Sequence, residues 1–220
     1  MPVDPACFIA IFTSCLTVNV DALASPEAAS LRGYAFAPLD ASRRDTLEYR
    51  ELELITNRAL QAQGFVPAQV DEDIEVVIVL DWGMRAGTRL VEKPILGEKS
   101  DGTATVTTTT RPSLLGSVTT QGTITQGTTY GVVGSRTVEE DIYHRAVVLT
   151  AYEAGPMRDE SRAVEVWRVS ATSSGSSDNM RAVFPAIMAA MDDYLAKRTD
   201  ATVSVTTPLR NKEALALQGR

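Results

Sequence analysis

IEVVIVLDW, residues 74–82, is the stretch from which the rest of the chain can be ordered. Ile74, Val76, Ile78, Leu80 and Trp82 fall on one side of a two-residue repeat, with Glu75 and Asp81 on the other. That is the pattern of a strand with one face buried. Upstream, SRRDTLEYRELELITNRALQAQGF (Ser42–Phe65) has good helix formers, no internal Gly or Pro, and Gly64 as a stop. Leu47, Leu54, Ile55 and Ala59 are expected on one apolar face of this helix. Further upstream, GYAFAP (Gly33–Pro38) reads as a short strand closed by Pro38. Strand, helix, strand in this order predicts a crossover with the helix lying on the sheet.

Downstream, YHRAVVLTAYE (Tyr143–Glu153) and RAVEVWRVSATS (Arg162–Ser173) flank a segment with turn chemistry, AGPMRDES, and predict an antiparallel hairpin. A second helix follows. Met180, Val183, Phe184, Ile187, Met188, Met191, Tyr194 and Leu195 recur at three- and four-residue steps and read as core. Ser177 or Asp178 is the expected cap, and Pro185 must either begin the main helix or kink it. In the middle, Arg89–Leu96 and Thr103–Thr110 are candidate strands, and 111–141 is expected to be a flexible Thr/Gly-rich hairpin or arm. The end, 199–220, reads as a loosely ordered tail in which NKEALALQG forms a marginal helix. The fold class expected is α+β: a single domain over 33–198, with a mostly antiparallel sheet and two helices packed on one face.

A chain of 220 residues, 44% hydrophobic and 22% charged, is long enough to bury a core. The 28 acidic residues against 21 basic ones give a net charge of −7, which argues against a nucleic-acid partner. The stretch TTQGTITQGTTYGVVG (Thr119–Gly134) invites comparison with a phosphate-binding loop. Gly122 and Gly127 have the spacing, but Thr128 stands where that loop needs Lys; Gly97 and Gly102 are followed by Thr103. The stretch is read as a ribbon, and Thr120, Gly122, Thr125, Gly127 and Tyr130 as a candidate partner surface. His144 is the one histidine, no Gly-x-Ser-x-Gly elbow is present, and the lone ring is expected to be a surface or packing residue. Asp71–Asp73 and Glu139–Asp141 lack the spacing of a calcium loop and read as solvated turns. Trp82 and Trp167 are expected in the core. No catalytic residue, metal site or cofactor is assigned.

The beginning of the chain bears on location. ACFIAIFTSCLTV (Ala6–Val18) is uncharged and apolar, and Ala22-Leu23-Ala24 supplies the small residues of a signal-peptidase site, with cleavage between Ala24 and Ser25. The run is shorter than the about 20 apolar residues of a membrane span. Phe12-Thr13-Ser14-Cys15 resembles a lipobox, which makes Cys15 a candidate lipidation site. Residues 1–24 are therefore read as a signal peptide or lipoprotein signal, against the alternative of a buried N-terminal strand. Cleavage after Ala24 would remove Cys7 and Cys15, the only cysteines.

Three features together resemble a family of bacterial envelope lipoproteins catalogued as a domain of unknown function. They are the signal-like beginning, YRELELITNRALQAQGF with DIEVVIVLDW, and AVVLTAYEAGPMRDESRAVEVWRVSA with Trp167 in the second hairpin strand. The likeness runs over roughly residues 33–195. It implies an envelope location and no established catalytic residues. The expectation is a non-catalytic periplasmic or membrane-tethered binding or scaffold protein. Its partners would be other envelope proteins or itself, with membrane contact only through a lipid anchor. The alternatives are a hydrolase using carboxylates gathered by the fold, or a self-associating structural subunit. Two close, perturbed carboxylates, or His144 within reach of a Ser and an Asp, would favour the hydrolase.

Overall fold

The computed structural model describes residues 15–99, 104–110, 118–124, 129–159 and 162–219. In chain order the elements are β1 (Cys15–Ala24), β2 (Gly33–Pro38), α1 (Leu47–Ala62), β3 (Val66–Pro67), β4 (Val76–Lys99), β5 (Ala104–Thr110), β6 (Val118–Ile124) and β7 (Thr129–Glu153). The rest are α2 (Ala154–Asp159), β8 (Glu165–Gly175), α3 (Met180–Met191), β9 (Val203–Pro208) and α4 (Lys212–Gln218). Seven strands form one sheet in the order β3-β2-β4-β7-β8-β1-β9, and β5 and β6 form a separate two-stranded sheet. The fold is α+β with a mostly antiparallel sheet, as the sequence predicts.

β2 pairs in parallel with β4, Tyr34 beside Val76 and Phe36 beside Ile78, as the strand–helix–strand order requires. Between them α1 begins at Thr46, whose side chain accepts from the Tyr49 N–H. It stops just before Gly64, whose φ of +85° is a left-handed turn that favours glycine. The buried face of α1 is Tyr49, Leu52, Ile55, Thr56, Ala59 and Leu60. Ile55 and Ala59 were expected there, whereas Leu47 and Leu54 are exposed. Steps of three and four from Leu52 track the helix period, and Leu47 and Leu54 lie off that stripe.

On β4, Val76, Ile78 and Leu80 are buried and Trp82 packs against the edge of the same core. β7 and β8 are the expected hairpin, paired antiparallel with Leu149 opposite Val169 and Ala151 opposite Trp167. The expected turn between them contains the short helix α2. Trp167 is fully buried. α3 buries the expected Met180, Val183, Phe184, Ile187, Met188 and Met191. Asn179, not Ser177 or Asp178, caps this helix by accepting from the Ala182 N–H. Pro185 sits inside it, where the helix loses one backbone hydrogen bond.

Two expected boundaries are corrected. The expected domain start at 33 excluded β1, but Cys15–Ala24 is an internal strand between β8 and β9, with Val18 beside Ser173 and beside Val205. Leu16, Val18, Val20 and Ala22 are core residues. This is the buried-strand alternative, and a signal peptide ending at Ala24 would take β1 with it. Cys15 is disulfide-bonded. At the other end the expected loose tail contains β9, paired along β1, and α4, which buries Ala214 and Leu217. Asn211 caps α4 through the Ala214 N–H, and the Arg58 guanidinium donates to Leu217 O at 2.7 Å.

The chain divides into two compact units, one made of the described residues up to Gly87 and from Asp141 onward, the other of Thr88–Glu140. Within the second unit β5 and β6 form an antiparallel hairpin, Ala104 opposite Ile124 and Thr110 opposite Val118. Also within it, Lys93 and Arg89 of β4 meet Glu140 of β7 at 2.8 and 3.2 Å, and Glu92 accepts from Ser135 at 2.7 Å. The expected hairpin at 111–141 is therefore longer and begins earlier: β4 runs without a break through the predicted strand Arg89–Leu96.

Candidate functional site

The β7–β8 register places the chain's one histidine directly opposite a serine. His144 Nδ1 lies 2.8 Å from Ser174 Oγ, both on an exposed face of the sheet. One step along, Arg145 faces Ser173 on the opposite, buried face. On the exposed face, His144 and Ser174, with Gly83 and Arg85 of β4, line a cavity of about 580 Å³. Arg85 and the histidine contribute to its lining and no carboxylate does.

Arg145 is the unusual member. It is 2% exposed, and its Nη2 donates to the Ser177 carbonyl. Its Nε and Nη1 are buried and have no hydrogen-bond partner among the described residues. Ser173, 4% exposed, buries its Oγ in the same unsatisfied condition. Burial pulls the arginine pKa below its ordinary value. Gly175 leaves the flank of the guanidinium open: a Cβ there would stand 3.4 Å from Nη1.

A second cleft, of about 570 Å³, lies where α1, α3 and α4 meet. Arg58, Arg181 and Arg210 line it with Glu51. Two of those cations are engaged, Arg181 with Glu51 at 2.6 Å and Arg58 with the Leu217 carbonyl. At the far end of α3, Asp192 has its pKa pushed up to about 6 by burial, then by the neighbouring Asp193 and by Glu213 of α4, with Lys197 opposing. It is a perturbed carboxylate, but it does not line either cleft.

Thr120 and Gly122 of the expected partner surface lie in β6; Thr125 and Gly127 fall outside the described residues. Tyr130 is the second residue of β7 and is 79% exposed. Around it in the second unit, Leu90, Ile95, Leu96, Val132 and Val133 are also exposed. The structure thus adds β4 residues to a surface that the sequence reading centred on 119–134. Asp71–Asp73 is an exposed 3-10 turn, and Glu140 is occupied by Arg89 and Lys93, which hold its carboxyl below the usual range. Ala24 ends β1, and Ser25 donates its N–H to Val166 O at 2.8 Å, so both are integrated in the fold. Arg145 and Ser173 were missed by sequence reasoning, although a signal was present. They continue the buried alternations Ala151-Leu149-Val147 and Trp167-Val169-Ala171, and a polar residue on such a face marks a site.

No family model matches the chain, and no curated protein does. One similar solved structure is a PDZ domain protein from Parabacteroides distasonis. It is 12% identical over 91% of this chain, with a TM-score of 0.39. The chain spans 41% of that protein's length. At that score the likeness does not establish a common fold.

Proposed function

We propose that this is a non-catalytic cell-envelope protein that binds a protein partner through its 88–140 unit. The observation that carries the reading is the exposure of Leu90, Leu96, Tyr130, Val132 and Val133, at 75, 70, 79, 62 and 51%. Soluble surfaces tolerate scattered apolar residues, but several large ones concentrated on one ribbon mark an interaction surface. The strand edges of β5 and β6 offer further backbone donors and acceptors to an incoming strand. The envelope location is supported by the apolar beginning and by the family resemblance. Of the two processing sites, cleavage before Cys15 is the one that leaves β1 whole. Acylation there would use the sulfur that is disulfide-bonded in this structure, so the intact mass of the membrane-fraction protein decides between them.

A photo-crosslinking residue at position 130 or 132, in cells, tests the binding surface against the same residue at Thr172 on the open sheet face. Adducts confined to the ribbon positions support the proposal; equal labelling at Thr172, or none anywhere, overturns it. An adduct of twice the chain's mass identifies the partner as a second copy.

One observation favours a hydrolase instead, the 2.8 Å contact of His144 with Ser174. Directly opposed residues of an antiparallel pair come this close through register alone, so the contact needs no catalytic explanation. Covalent labelling of Ser174 by a fluorophosphonate, lost in His144→Gln, would replace the non-catalytic reading with this one.

A further inference from the structure

The chain carries a net charge of −7, yet the cleft of about 570 Å³ between α1, α3 and α4 is lined by three arginines and one carboxylate. That carboxylate, Glu51, answers Arg181 at 2.6 Å. Arg58 donates to the Leu217 carbonyl at 2.7 Å, which satisfies an N–H but leaves its positive charge unmatched. Arg210 is exposed and has no hydrogen bond or ion pair among the described residues. The charges of Arg58 and Arg210 are therefore left over beside Leu54, an apolar side chain of the same lining that is 49% exposed. The complement of such a cleft is an acidic group with an apolar neighbour.

The chain itself presents one. Asp71, Glu72 and Asp73 are exposed, and their carboxylates have no hydrogen bond or ion pair among the described residues. Val70, immediately before them, is 54% exposed. Arg158 holds the turn through the carbonyl oxygens of Asp71 and Ile74, so little conformational freedom remains to be lost on binding. Other acidic runs are engaged: Glu140 is paired with Arg89 and Lys93, and Asp192 is partly buried at the end of α3. We propose that copies of this chain associate by seating the Val70–Asp73 turn of one in the Arg58, Arg181 and Arg210 cleft of another. Two molecules of the same net charge repel, and the opposite signs of these two patches offset that repulsion and fix the register. The contact is separate from the 88–140 ribbon and does not rest on the ribbon's role.

Sedimentation equilibrium of the full chain, over a range of protein concentrations in low and in high sodium chloride, tests the contact. The mean mass should rise with concentration at low salt and return to that of the monomer at high salt, where exposed charges are screened. Arg210→Glu and Glu72→Arg should each weaken the association about tenfold or more, because each sets like charges against one another. Mixed in equal amounts, the two variants should associate again, since positions 72 and 210 then carry opposite charges at every contact between them. Both side chains are exposed, so both variants should keep the wild-type circular dichroism spectrum. A wild-type chain that stays monomeric at every concentration overturns the proposal. So does a mixture of the variants that stays monomeric. Association that ignores both reversals overturns it as well and assigns the self-contact to another face, the ribbon included.

Discussion

Replacing Asp192 by Asn should stabilise the protein at neutral pH and do progressively less as the pH falls. Asp192 follows the last turn of α3, at the negative end of the helix dipole, where a carboxylate is already unfavourable. Burial, then Asp193 and Glu213, disfavour its charge further, and a backbone hydrogen bond from Asp193 together with Lys197 only partly offsets them, so its pKa is about 6 against an ordinary 3.8. A raised carboxyl pKa means that the native state binds the proton more tightly than the unfolded chain does. The penalty is therefore complete above about pH 6 and fades as the pH falls towards the unfolded value. Two pKa units correspond to about 3 kcal/mol. Asp192 is only partly buried, and solvent screening brings a realistic gain for Asp192→Asn to about 1–2 kcal/mol. The linkage relation leaves about a third of that gain at pH 4.5. Urea unfolding of wild type and variant at about pH 7.5 and pH 4.5 gives both numbers from the midpoints at a common slope. A variant that is neutral or destabilised at the higher pH refutes the reasoning. So does a gain that is the same at both, which would point to an uncharged effect of the amide at the helix end.

A chain beginning at Ser25 should fail to fold where one beginning at Cys15 folds, by circular dichroism. The lost burial of Leu16, Val18 and Val20, at about 1.5–3 kcal/mol each, approaches the whole stability of a domain. Phe184→Ala should cost about 3–5 kcal/mol in urea unfolding, because Phe184 is fully buried at the centre of α3. Asn179→Ala removes the α3 cap and should cost about 1 kcal/mol by the same measurement. Glu51→Gln, by contrast, should change stability by less than about 1 kcal/mol, since its pair with Arg181 is solvent-exposed.

The elements that could be read from the sequence were those whose pattern has one meaning. The alternation in 74–82 admits only a half-buried strand, and the Met/Phe/Ile steps of 180–191 admit only a helix with a buried face. The misreadings arose where local pattern is weak and tertiary pairing decides. β9, VSVTTP, is short and polar and becomes a strand because β1 offers it a partner. Leu47 and Leu54 are as apolar as Leu52, yet only the geometry of the sheet below α1 selects which leucine is buried. The site failed to appear for a related reason. Arg145 and Ser173 lie 28 positions apart, and only the hairpin register sets them opposite each other. Spacings of nucleophiles and metal ligands are legible along a chain, whereas Arg145 and Ser173 are buried polar groups left without partners.

β1 shows how one composition can carry two readings, and where they separate. An exported leader and a buried strand are both apolar, so Ala6–Val18 alone does not distinguish them. A leader's apolar core is not required to alternate, while a strand with one wet face must. From Leu16 onward the sequence alternates: Leu16, Val18, Val20 and Ala22 enter the core, and Thr17, Asn19, Asp21 and Leu23 face outward. A charged Asp21 and a polar Asn19 at every second position are what the outer face of a sheet calls for. β8 and β9 then satisfy the backbone on both edges, so the strand cannot leave without exposing two others. If the protein is exported, the constraint therefore falls on the processing step. The Ala22-Leu23-Ala24 motif is held inside the sheet after folding, and a peptidase could use it only on the unfolded chain, leaving a product without its internal strand. A mature protein that begins at Ser25 and still unfolds cooperatively would show that β9 can take the place of β1 beside β8, and would undo this account of the fold.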